Sequence, residues 1–299
     1  MLVIFEQLSI LYIFLLIGWL IGKLKKDKAS HSDILSVLLV NVFLPCKIFD
    51  TFSKNVSVSY FTEKYPVLFA SLILLTIIVT MSHLIPKLLT KNAYERRIYN
   101  YSFTITNYGY LGYALIGSVF GDVVLTNFML FAIPFIFYTY TAGYVMLTGG
   151  KCTVKKLLTP ITAAIVIGII IGLTGLNVPN FISSAVSKGA ACTGPLGMLL
   201  TGMTLAGFSI KELISNKTAY IFTFLRLIGI PAIAFLVCKL FNLDSLLPMM
   251  LIITCMPCGL NTIIFPKITG DDCKPGARLA LITHVFSLAT IPFWLSFIQ

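Results

Sequence analysis

The sequence predicts an all-α polytopic membrane protein whose ten transmembrane helices form a five-plus-five inverted repeat. Three observations carry that prediction. The chain is 58% hydrophobic and 11% charged over 299 residues, whereas an ordinary soluble domain is roughly 25% charged. Apolar runs of about 20 residues, the length that crosses bilayer hydrocarbon, recur from one end to the other. Two of these runs are interrupted alike, by Thr106-Asn107-Tyr108-Gly109-Tyr110-Leu111-Gly112 and by Met256-Pro257-Cys258-Gly259-Leu260-Asn261-Thr262, and Asn107 and Asn261 lie 154 residues apart.

Taken in order, spans are expected at 5–22, 33–53, 65–86, 98–119, 124–147, 157–176, 185–207, 218–240, 246–267 and 277–298. The first has no basic residue ahead of its apolar core and runs straight into Lys23, Lys25, Lys26 and Lys28. It therefore reads as a span and not as a cleaved signal peptide. The second holds Asn41, Pro45 and Lys47, and the seventh holds Pro195, 150 residues after Pro45. The fourth and ninth are the interrupted pair. Gly and Pro weaken a helix and Asn competes for its backbone hydrogen bonds. Hydrocarbon has no water to satisfy the freed groups, so a broken helix survives only where it lines a protein cavity. The sixth span carries Gly168, Gly172 and Gly175 at the spacing of close helix contact, enough for packing within the chain or for a homodimer. The eighth carries Arg226 and the tenth His284.

Residues 1–299 read as a single membrane domain, with 1–150 as a first five-helix repeat and 151–299 as a second, joined at the loop 148–156. Five is an odd number, so the second repeat enters the membrane upside down relative to the first. A pseudo-two-fold axis in the membrane plane then relates the halves.

The net charge of +11 is a matter of topology. Sixteen of the 22 basic residues fall in alternate loops: Lys23, Lys25, Lys26, Lys28; Lys87, Lys91, Arg96, Arg97; Lys151, Lys155, Lys156; Lys211, Lys217; and Lys267, Lys274, Arg278. Positive loops stay cytoplasmic, which places the chain in the cytoplasmic (cell) membrane with both termini outside. No basic patch with interleaved aromatics points to nucleic acid. The Cys255/Cys258 pair lacks the second ligand pair or thioredoxin-like context that a metal or redox site needs. No metal site and no cofactor are expected.

Several motifs share their order with a known family. Asn41-Val42-Phe43-Leu44-Pro45 is similar to an Asn-x-x-Leu-Pro element of span two, and Asn107-Tyr108-Gly109-Tyr110-Leu111-Gly112 to an Asn-x-Gly-x-Leu-Gly of span four. Met256-Pro257 with Asn261, then Gly270-Asp271-Asp272, is similar to the span-nine segment and the loop after it. Ser287-Leu288-Ala289-Thr290-Ile291-Pro292 is similar to a closing Ser-x-x-Thr-x-Pro. Together they resemble the auxin efflux carrier family, in particular its short bacterial malate or malonate permeases. The resemblance implies a scaffold domain and a transport domain, with spans four and nine crossing at their broken centres. Substrate would bind beside the crossing and an elevator-like movement would give alternating access. Two positions depart from the family pattern. Ala114 follows Tyr113 where many members have Pro, and Lys47 stands where many have an apolar residue.

The broken helices suggest the chemistry. A half-helix that starts mid-membrane presents unpaired N–H groups and about half a positive charge, which suits a carboxylate. The unwound carbonyls suit a cation or the neutral part of a substrate. Asn107 and Asn261 each offer a donor and an acceptor, to the ligand or to the broken backbone alone. The candidate substrate-binding set is therefore Asn41, Pro45, Asn107, Gly109, Gly112, Pro257, Gly259, Asn261 and Arg226.

Within the spans lie Lys47, Arg226, His83 and His284, with no Asp or Glu near any span centre. That bias favours an anion over a cation. Arg226 is about eight residues from its loop, roughly 12 Å deep at 1.5 Å per residue. Lys47 is nearer a span end, where Asp50 at i+3 is an available partner. His284 and Lys47 are the candidate coupling residues, for a proton above all; sodium would need only backbone carbonyls. The many Phe and Tyr residues read as lipid-facing bulk and interface anchors.

The expectation is a secondary-active permease for a small organic anion, a carboxylate, within the lipid bilayer. An anion channel, a uniporter-like facilitator and a non-transporting membrane receptor are the alternatives. An enzyme is not expected, because there is no paired membrane Asp and no His-Glu-x-x-His; direct drive by ATP is not expected either, because there is no Gly-x-x-x-x-Gly-Lys loop.

Overall fold

The computed structural model describes residues 1–24, 28–150 and 158–298. Among them there is no β-strand, only helices and their connections. Seven helical segments are long and apolar enough to cross a membrane: Leu2–Leu24, Ser32–Asn55, Val58–Leu89, Tyr108–Thr148, Asn180–Ala206, Lys217–Leu240 and Lys274–Leu295. Pro160–Thr174 is apolar but shorter, at 15 residues. The junction at 148–156 lies mostly outside the described residues, as do Lys25, Lys26, Lys151, Lys155 and Lys156 of the basic loops.

Helix α1 (Leu2–Leu24) runs uninterrupted. The second span is α2 (Lys28–Leu38) and α3 (Leu44–Asn55), joined by five π-helical residues, Leu39–Phe43. The wider turn falls just before Pro45, whose ring denies the backbone one N–H donor. Thr193 Oγ1 donates to the Phe43 carbonyl at that point, 2.9 Å away. Helix α4 (Val58–Leu89) starts at Ser57, whose Oγ accepts from the Tyr60 N–H at 3.1 Å. It is longer than the expected 65–86.

The fourth span opens with α5 (Ala93–Thr104), capped by Asn92. It breaks at 105–107 and resumes through a π-helical Tyr108–Gly112 into α6 (Tyr113–Tyr140). Within α6, Gly121 takes φ +80° and ψ −177°, a turn that separates the ends expected for spans four and five. Helix α7 (Ala142–Thr148) follows the kink at Thr141.

The remaining elements are α8 (Pro160–Thr174), α9 (Asn180–Ala206), the short α10 (Ile210–Leu213) and α11 (Lys217–Phe224). A third π-helical stretch, Leu225–Gly229, links α11 to α12 (Ile230–Leu240). The segment expected as the ninth span holds two helices, α13 (Leu247–Cys255) and α14 (Asn261–Thr269), and α15 (Lys274–Leu295) is the last described helix.

Small residues set the packing. A Cβ on Gly18 would strike the Leu199 carbonyl, and one on Gly202 the Leu15 carbonyl, so α1 and α9 lie backbone against backbone. Gly168 and Gly172 do the same for α8 against Phe49, Phe52 and Val56 at the end of α3. Both glycines are thus used inside the chain, and Gly175 ends α8 in the left-handed region. Gly194 packs on Ala114, where a larger side chain on α9 would not fit. The buried aromatics Tyr99, Tyr101, Phe103, Phe128, Phe131 and Phe222 fill the centre around α5, α6 and α11. Phe5, Ile13, Phe69 and Ile73 face outward from α1 and α4, the side chains a lipid phase would cover.

Candidate functional site

The two interruptions meet. Thr106 and Cys258 form an isolated antiparallel bridge, the sole strand-like pairing among the described residues. The Asn107 N–H donates to the Pro257 carbonyl at 2.8 Å. Thr106 Oγ1 donates to the Ile253 carbonyl at 3.2 Å, and Thr283 Oγ1 of α15 accepts from the Cys258 N–H at 3.1 Å. Each break thus satisfies part of the backbone that the other has freed, the requirement for unwound chain at membrane depth. Gly259 makes the approach feasible, since a Cβ there would sit 3.2 Å from the Thr106 carbonyl oxygen.

Beside the bridge is a small cavity of about 50 Å³. Asn107, Gly109, Gly259 and Asn261 line it, with Leu44 and Ile48 of α3 and Ile161 of α8 opposite. The structure brings those first four together, all of them in the candidate set read from the sequence. Thr139 lines the cavity too, with Tyr108, Tyr110, Tyr113 and Tyr140, tyrosines that the sequence places among lipid-facing bulk and interface anchors. Their position after a Gly-punctuated break was the available signal. Among the described residues, no charged side chain lines this cavity. The start of α14, with its partial positive charge, borders it at Gly259–Asn261.

The Asn side chains are held. Asn261 Nδ2 donates to the Tyr101 hydroxyl at 3.0 Å. Asn107 Nδ2 lies 3.1 Å from His284 Nε2, while His284 Nδ1 is 2.7 Å from the Ala280 carbonyl. A carbonyl only accepts, so Nδ1 carries the proton and Nε2 accepts from the Asn107 amide. The bond to His284 thus uses the Asn107 amide nitrogen and not its Oδ1.

Arg226 is buried, 1% exposed, and faces elsewhere. Its Nε donates to the Ser102 carbonyl at 3.3 Å and its Nη1 to the Thr254 carbonyl at 2.5 Å. Those carbonyls end α5 and α13, the first halves of the two broken spans. The guanidinium therefore caps both negative helix ends at once. Pro257 contributes its carbonyl to the bridge and does not line the cavity, and Gly112 is buried against Phe128. Asn41 is exposed on the π-helical turn, donating Nδ2 to the Val37 carbonyl at 2.8 Å, and Pro45 follows at the start of α3.

Lys47 lines a different, larger cavity of about 380 Å³, shared with Asp122 and Tyr113. The partner expected for it, Asp50, is engaged instead by Lys54 at 2.7 Å and by Ser187 Oγ at 2.7 Å. Lys54, at i+4, reaches that carboxylate where Lys47, at i−3, turns towards Gly117, a Cβ on which would sit 3.8 Å from the Lys47 amine. No group of three or more His, Cys, Asp or Glu able to hold a metal occurs among the described residues.

Comparison with known proteins accords with this arrangement. A family described as membrane transport protein matches residues 3–152 and again 144–295. An uncharacterised transporter of Methanocaldococcus jannaschii is 28% identical over 309 residues, covering 97% of each chain. The chain belongs to that membrane transport protein family, the auxin-efflux-carrier-like group that its motifs resemble.

Proposed function

We propose that this membrane transporter is a secondary-active permease for a small organic anion, a mono- or dicarboxylate. The single observation that carries the reading is the cavity at the bridged breaks, lined by Asn107, Asn261, four tyrosines and the start of α14. A carboxylate there meets fixed dipoles and N–H groups without a cationic side chain. Arg226 serves the site by holding both half-helices, with Asn107 and Asn261 as the direct ligands.

In this reading the chain crosses the cell membrane ten times, with α5 and α6 up to Gly121 as span four and α13 with α14 as span nine. Residues 1–150 and 151–299 are the inverted repeats, and both termini lie outside. Alternating access follows from movement of the crossed spans against α1, α3, α8 and α9. Tyr113 lines both the crossing cavity and the Lys47 cavity, so the two are neighbours divided by a side chain. That division suits a carrier better than a continuous channel. His284 is the proposed coupling residue, through its bond to Asn107.

The test is flux of labelled malate, malonate and an auxin-like acid in proteoliposomes, with pH and sodium varied separately. Protein-dependent, saturable flux of at least one acid is expected. A folded sample that moves none of them sinks the proposal.

A further inference from the structure

The structure carries two cavities on the far sides of the breaks, and they differ in one respect. The first, of about 380 Å³, has Lys47 of α3 on one wall and Asp122, at the outer end of the first stretch of α6, on the other. The second, of about 250 Å³, has Asp33 of α2 on one wall and Lys267 of α14 on the other. Both use α9, at 190–195 in the first and at Leu200 and Thr204 in the second. Asp33 and Lys47 are fourteen residues apart on the second span, about 21 Å at 1.5 Å per helical residue. The cavities therefore sit towards opposite ends of the same helix pair.

In the second cavity the opposed charges are joined: Lys267 Nζ is 2.6 Å from Asp33 Oδ1. In the first they are not. Among the described residues, Lys47 makes no ion pair and no hydrogen bond, and Asp122 makes no ion pair. The placement is matched all the same. The second span supplies one charge to each cavity, Asp33 at one end and Lys47 at the other. The far half of a broken span supplies the opposite charge, Lys267 beyond the ninth-span break and Asp122 beyond the fourth. Asp122 follows Gly121, which takes φ +80° and breaks the helix at that position. A lone anion site at Lys47 is the weaker reading, because the Asp122 carboxylate shares the cavity and opposes an incoming anion.

We propose that Lys47–Asp122 and Asp33–Lys267 are exchanged latches: the chain closes one cavity by making one pair as it opens the other by breaking the second. In the structure the Asp33–Lys267 pair is made and the Lys47–Asp122 pair is not. The proposal rests on the alternating-access reading above. Each pair adds a modest bias to an equilibrium between two states, since part-exposed ion pairs are weak, and a modest bias is what a reversible carrier needs.

The test reads the two states directly and needs no substrate. A cysteine is placed in each cavity, Ser118→Cys beside Lys47 and Ser36→Cys beside Asp33. Labelling by a charged, membrane-impermeant maleimide is measured on the full chain against the same chain without the added cysteine. Lys267→Ala is expected to raise labelling at position 36 about two- to five-fold and to lower it at 118. Lys47→Ala, which prevents the first cavity from closing, is expected to raise labelling at 118 and lower it at 36. The charge-exchanged double variant Lys47→Asp with Asp122→Lys restores the parent pattern, which also shows that the variants fold. Labelling that moves in the same direction at both positions, or not at all, overturns the latch. So does failure of the exchanged pair to restore it. Reciprocal labelling in a chain that moves no organic anion upholds the latch and sinks only the substrate reading.

Discussion

The Arg226 guanidinium holds a carbonyl at the end of α5 and another at the end of α13, and replacing it takes the donor from the Thr254 carbonyl and leaves the Ser102 carbonyl only the Cys258 thiol, 3.9 Å away. Arg226→Leu is expected to cost about 3 kcal/mol of stability, on the scale of hydrogen bonds to a charged group, read as a lower melting temperature in detergent. Arg226→Lys recovers only part of the loss, because an ammonium cannot span both carbonyls as a planar fork does. An Arg226 that bound substrate directly would instead raise KM with melting unchanged. At His284 the effect is on binding. The His284 ring orients Asn107 through Nε2, so His284→Leu is expected to raise KM about 5- to 30-fold, the worth of one buried hydrogen bond of roughly 1–2 kcal/mol. An unchanged KM in kinetic uptake assays would remove His284 from the site.

The broken elements depend on their mutual approach. Gly259→Val would press a branched side chain against the Thr106 carbonyl, part the bridge and lower transport at least ten-fold with the chain still inserted in the membrane. Insertion and flux measured on one sample separate the two outcomes. Much of this region was legible in the sequence. Gly109, Gly112, Pro257 and Gly259 mark the breaks by their helix-weakening chemistry, and Asn107 and Asn261 mark the cavity. What was not legible was partner choice. The depth of Arg226 pointed to a functional group, yet only the folded chain shows that the ends of α5 and α13 converge on it. Lys47 likewise had a nearby acid at Asp50, and tertiary packing gave that acid to Lys54 and Ser187. The π-helical turns at Leu39–Phe43, Tyr108–Gly112 and Leu225–Gly229 had no distinct pattern, because one extra residue per turn barely alters hydrophobic periodicity.

For the molecule as a whole, the segregation of charge from the crossing is the governing feature. Arg226 caps two helix ends at the crossing, and Lys47 walls a flanking cavity. The crossing itself offers dipoles. Such a site releases a carboxylate more readily than a buried ion pair would, which suits turnover in a carrier. Uptake is accordingly expected to saturate, and planar-bilayer recording is expected to show no unitary currents with the anion as sole charge carrier. Unitary currents would instead make the breaks a filter. The most direct measurement is a structure determined with the transported acid bound. The carboxylate is predicted within hydrogen-bond distance of Asn107 and Asn261 at the start of α14. A carboxylate found against Arg226, or held by Lys47 alone, would contradict the account.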